Sequence, residues 1–102
     1  MWVRVTTLEG EAGADQGRVS EMAEMVRSKV LPVAETMDGF RGMLTMADAQ
    51  SGRSVSLTFW ESEDAMRASE EAANRLRKDV SEESGDSIAD VQRYEVLIDE
   101  RR

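Results

Sequence analysis

Between Val55 and Arg77 the chain changes its hydrophobic period, and that change constrains the fold more than any other feature. Val55, Leu57 and Phe59 alternate with Ser56, Thr58 and Trp60, the period of two that marks a half-buried strand. The period switches at Glu61-Ser62-Glu63-Asp64. Ser62 is suited to cap a helix, because its hydroxyl can accept from a backbone N–H that has no partner within the helix. Glu63 and Asp64 set negative charge at the positive end of the helix dipole. Ala65, Met66, Ser69, Ala72, Ala73, Leu76 and Val80 then fall in a stripe at helical spacing. The stretch is a strand, a capped corner and a helix, in that order.

The remainder supplies three more strands and one more helix. Trp2–Leu8 alternates, with Val3 and Val5 on one side and Trp2, Arg4 and Thr6 on the other. Residues 9–17 contain three glycines and form a loop. Asp15 can cap a helix that carries Val19, Met22, Ala23, Val26, Val30, Leu31, Ala34 and Met37 on one face. Pro32 lies inside that pattern and predicts a kink, or an end near Val30 with a last turn beyond it. Asp38-Gly39 stops the helix. The strand Phe40–Ala49 follows, and neither of its alternating sets is cleanly apolar, so its core face stays open. A tight turn at residues 50–53 joins it to Val55–Trp60 as a hairpin. The helix Glu63–Val80, a polar loop at residues 81–87, a last strand Ile88–Asp99 and a frayed tail complete the chain.

The order β-α-β-β-α-β over residues 1–102 predicts a single α+β domain of ferredoxin-like type, a four-stranded antiparallel sheet with two helices on one face. The face away from the helices is expected to carry Trp2, Met43, Thr58 and Trp60, too apolar to stand in water across a whole sheet. A symmetric homodimer with the two sheets face to face, a dimeric α/β barrel, would cover it.

Composition narrows the chemistry. The net charge of −8 argues against nucleic acid or an anionic membrane as partner, since both require a basic footprint. Residues 61–90 hold ten acidic side chains against four basic ones, either a solvated face or a docking surface for a basic partner. There is no cysteine, hence no disulfide, thiol catalysis or zinc–thiolate site. There is no histidine, the commonest general base and haem ligand. No calcium-loop spacing is visible, and no apolar run approaches the 18 or so residues of a membrane span. With no basic n-region at the N-terminus, a signal peptide is not expected, and the reading is of a cytoplasmic protein.

Gly39-Phe40 at the start of the second strand, the TFWES run at residues 58–62, and the helix start Glu63-Asp64-Ala65-Met66 together resemble the antibiotic biosynthesis monooxygenase family of dimeric α/β-barrel, ferredoxin-like proteins. The resemblance implies a ligand pocket between sheet and helices in each subunit of a homodimer. In the family's cofactor-independent oxygenases a substrate with acidic hydroxyls loses a proton, and its anion reacts directly with dioxygen. The haem-degrading members use an asparagine on strand one and a tryptophan and a histidine on the second helix. Here Thr6 or Thr7 stands in the first place and Ser69 lies near the second. With no histidine or cysteine, haem is disfavoured and no cofactor is expected.

Trp60 matches the family's strand-three tryptophan; it either plugs the barrel end or stacks on a flat ligand. Further pocket candidates are Thr6, Met43, Met66, Ser69, Tyr94 and Arg41. Arg4, Arg41 and Arg93 are strand arginines suited to an anionic substrate, though Arg93 and Glu95 share a strand face and read as an ion pair. Small residues at Ala65, Ser69, Ala72 and Ala73 either bring the second helix close to the sheet or leave a hollow beneath it. Two functions follow: a cofactor-independent monooxygenase of small aromatic or phenolic compounds, or a non-catalytic small-molecule-binding or stress-response dimer of the same fold.

Overall fold

The computed structural model describes residues 1–13 and 15–102; position 14, within the expected loop, lies outside them. β1 (Trp2–Glu9) is followed by α1 (Gln16–Met25), a π-helical turn (Val26–Val30), α2 (Leu31–Ala34), β2 (Phe40–Asp48), β3 (Arg53–Trp60), α3 (Glu63–Ala68), α4 (Glu70–Ser84) and β4 (Ser87–Glu95). The strands form one antiparallel sheet in the order β2-β3-β1-β4. This is the ferredoxin-like α+β arrangement.

Local chemistry explains the helix boundaries. Asp15 accepts from the N–H of Arg18 and starts α1, and Ser62 accepts from the N–H of Ala65 and starts α3. Pro32 cannot donate, and its ring crowds the carbonyl four residues back. The helix widens into a π turn just ahead of it, with Leu31 N–H reaching the carbonyl of Val26, and then completes one last α turn. A π turn of this kind is a usual way to carry a helix past such a break. The second helix is not continuous from Glu63 to Val80 as expected; it is divided at Ser69 and runs on to Ser84.

The register shows why β2 could not be read. Phe40 faces Trp60, but Gly42 faces Phe59, so Arg41 is the extra residue of a β-bulge. Gly42 adopts φ 147°, open to glycine and strained for other residues. Phe40 therefore lies on the same face as Met43 and Thr45, and one odd–even pattern cannot describe the strand.

The two sheet faces are the reverse of the expected ones. Thr58, Trp60 and Met43 face the helices, together with Arg4, Thr6 and Leu8. The face turned away carries Val5, Leu44, Met46, Val55, Leu57 and Phe59, which are half-buried or exposed. Hydrophobic alternation identifies which residues share a face, but not which face the helices cover. β4 is also shorter than expected. It stops at Glu95, and Leu97 and Ile98 beyond it are more than four-fifths exposed. Among the described residues the buried apolar core is small, comprising Val3, Leu8, Ala34, Trp60, Met66 and Val80.

Candidate functional site: a cavity between sheet and helices

The core is thin because the helices stand away from the middle of the sheet. Between them lies a cavity of about 80 Å³. A single water needs roughly 10–15 Å³ measured in this way, so the space suits a small ring-bearing molecule. The floor is the helix-side face of three strands: Arg4, Thr6 and Leu8 of β1, Ser54, Ser56, Thr58 and Trp60 of β3, and Met43 and Thr45 of β2. The roof is apolar, from Met22, Val26, Val30, Ala34 and Met37 on one side and Ala73, Leu76 and Val80 on the other, with Arg77 among the latter.

The floor is a row of hydroxyls closed at one end by an aromatic wall. Trp60 is 1% exposed, donates from Nε1 to Thr58 Oγ1 at 3.0 Å, and meets Phe40 edge-on at a centroid distance of 5.6 Å. Thr45 and Ser56 share a hydrogen bond of 3.0 Å across the β2–β3 pair. These bonds fix the side chains and leave acceptor capacity free for a ligand.

At the Trp60 end stands a charged cluster. Arg4 is 3% exposed, and its guanidinium lies 5.4 Å from the centre of the Trp60 ring. It donates to the Met66 carbonyl and the Ser69 hydroxyl, both at 2.8 Å, and to Glu70 Oε1 at 2.9 Å. The Ser69 hydroxyl in turn donates to the Met66 carbonyl at 2.6 Å. Glu70 also receives both arms of Arg93 at 2.7 Å. Hydrogen bonds from Arg93, and then from Arg4, hold the Glu70 carboxyl down at about 2, against the opposing effect of its burial. Burial lowers the Arg4 pKa, and the bond to Glu70 only partly offsets it. Burial also lowers the Arg77 pKa, with the nearby positive charge of Arg4 adding to the effect.

The structure gathers some of the sequence-derived candidates and disperses the others. Thr6, Met43 and Trp60 line the cavity. Met66 and Ser69 lie at the α3–α4 junction, where backbone and hydroxyl hold Arg4 in place. Tyr94 projects from the opposite face of the sheet, opposite Val3, and is 54% exposed. Arg41 lies outside on the β2 bulge, paired with Glu61. The expected Arg93–Glu95 pair is not formed, because Arg93 reaches across to α4 and Glu70 instead. The small-residue stripe of the second helix serves both expected uses: Ser69 sits against Arg4, whereas Ala73, one turn on, borders the cavity.

Beyond Thr6, the hydroxyl row does not stand out in the sequence, and neither does Arg77. Their signal was present in the polar half of the Ser54–Trp60 alternation and in an arginine between Leu76 and Val80 on an otherwise apolar stripe. Among the described residues, no group of three or more acidic side chains is placed to hold a metal ion.

Fold and site together define a class, a ferredoxin-like α+β domain with a ligand-sized cavity between sheet and helices. No family model matches the chain. It is 30% identical over 96 residues to the uncharacterized protein Rv2557 of Mycobacterium tuberculosis, covering 94% of this chain and 41% of that protein. The chain thus spans less than half the length of the curated relatives it matches. Among solved structures, one designated an antibiotic biosynthesis monooxygenase from Deinococcus radiodurans superposes with a TM-score of 0.69 at 15% identity, over 100% of this chain and 98% of that one. The monooxygenase ActVA-Orf6 of Streptomyces coelicolor, solved with nanaomycin D, superposes at 0.64 with 20% identity over 91% and 82% of the two chains. The heme-degrader MhuD of Mycobacterium tuberculosis, solved with two hemes in its active site, superposes at 0.65 with 21% identity over 99% and 100%. The likeness to the antibiotic biosynthesis monooxygenases therefore holds at the level of the fold.

Proposed function

We propose that the chain is an antibiotic-biosynthesis-monooxygenase-like protein that oxygenates a small phenolic or related aromatic compound without a cofactor. The cavity carries this reading: a half-open space that combines an aromatic wall, a hydroxyl row and buried positive charge. Substrate anions are stabilised near Arg4 and Arg77, which lowers the cost of ionising an acidic hydroxyl. The apolar roof limits water around a bound ring. The substrate anion passes one electron to dioxygen, and the two radicals combine to a carbon-bound peroxide anion, which takes from solvent a proton equivalent to the one lost on ionisation. Loss of water from that hydroperoxide, with the hydrogen on the same carbon, then leaves a carbonyl, so that one oxygen atom enters the product and the other leaves as water. Haem does not suit this site, because the cavity is small for a tetrapyrrole and the chain has neither histidine nor cysteine to ligate the iron.

The apolar outer face supports a homodimer closed sheet to sheet, and a chain without cysteine suits a cytoplasmic setting. The test of the oxygenase reading is oxygen uptake by the purified protein with anthrone- and hydroquinone-type compounds. Uptake above the uncatalysed rate supports it, and none across the panel removes it. One observation favours a second reading, a non-catalytic binding dimer: the titratable residues that line the cavity are both arginines, so no proton acceptor is at hand among the described residues. Binding of the same compounds without turnover would establish that reading.

A further inference from the structure

Among the described residues, Arg77 is the guanidinium at the cavity that no side chain of the fold pairs. Arg4 and Arg93 share the Glu70 carboxylate, whereas Arg77 has no hydrogen-bond or ion-pair partner among the described residues, although it is half-buried and lines the cavity. Two arginines thus share one carboxylate and a third stands nearby, in a chain whose net charge is −8. The Arg77 nitrogens still reach solvent, so their donors are free for a ligand. The placement is therefore that of a binding group.

Resting on the reading of this cavity as a ligand site, we infer that Arg77 is its specificity-determining residue and selects a flat aromatic acid, with the ring between Trp60 and the methionine-bearing roof and the oxyanion on the Arg77 guanidinium. Planar two-pronged donation from arginine suits a carboxylate or an ionised phenol, and leaves the Ser56 and Thr6 hydroxyls for polar substituents on the ring.

The test compares 2-naphthoate with its neutral isostere 2-naphthamide by titration calorimetry on the full chain. The expected result is binding of the anion at least about tenfold tighter, the size of one charge-assisted hydrogen bond. Arg77→Gln should abolish that ratio and Arg77→Lys should restore part of it. Because Arg77 gives up no internal partner, the urea midpoint of Arg77→Gln should equal or exceed that of the parent. Equal affinity for the two compounds, no binding of either, or an unchanged ratio in Arg77→Gln would each overturn the inference. The two ideas fail separately: anion selectivity without oxygen uptake removes the oxygenase alone, and oxygen uptake without anion selectivity removes the role of Arg77 alone.

Discussion

At the scale of single residues, Glu70 matters most. It joins Arg4 of β1 to Arg93 of β4 through the start of α4, so that one carboxylate ties two strands to a helix. Its folded pKa of about 2 lies below the ordinary value of 4.5. The stability it contributes is therefore fully present above about pH 4.5, falls as the pH drops, and is lost below about 2. Glu70→Gln should lower the unfolding free energy at pH 7 by roughly 2 kcal/mol, below the usual cost of breaking a buried pair because Glu70 is partly solvated. Urea titrations should also show a flatter stability profile between pH 5 and pH 2 in the variant than in the parent. Parallel profiles would mean that the clamp contributes nothing. Arg4 itself stands out in the sequence as a strand arginine. Its partner does not, because Glu70 is 66 residues away and only the packing of α4 on β1 brings the two together.

At the scale of elements, the caps and breaks were legible because they are local. Asp15, Ser62, Pro32 and the Asp38-Gly39 stop each act through the backbone within a few residues. Ser62→Ala should cost about 1 kcal/mol, and for a domain of this size Tm should fall by roughly 4–8 °C in calorimetry. Gly39→Ala should cost more, about 2 kcal/mol, because an added Cβ would stand 2.5 Å from that of Ala65 on a backbone at φ 79°. If Gly39→Ala melts with the parent, the corner between β2 and α3 is looser than the structure shows. The bulge at Arg41 was not legible, since no residue type demands an extra residue there except Gly42, and glycine has other uses.

At the scale of the whole molecule, the feature that needs explaining is the uncovered outer face. Val5, Leu44, Met46, Val55, Leu57 and Phe59 lie together on it, and the Arg101 guanidinium at 5.6 Å from the centre of the Phe59 ring is a small cover for so broad a surface. Leu57→Glu places a charge at the centre of this face. In sedimentation equilibrium the parent should run as a dimer and the variant as a monomer at micromolar concentration. A monomeric parent would dispose of the barrel. Loss of oxygen uptake together with the dimer would tie activity to assembly.

Residues 1–102 by themselves determined the element order, the caps, and the membership of the alternating sets of β1 and β3, because these follow from periodicity and short-range backbone chemistry; the bulge hid that of β2. They also determined that haem chemistry lacks its usual ligands. Only the tertiary structure decided which face of the sheet the helices cover, and with it the site. Alternation at period two is symmetric between the faces, and a row of serines and threonines reads as solvent-facing until a helix pair is seen to arch over it. The same arch leaves the core thin, opens the cavity, and sets Arg77 at its wall.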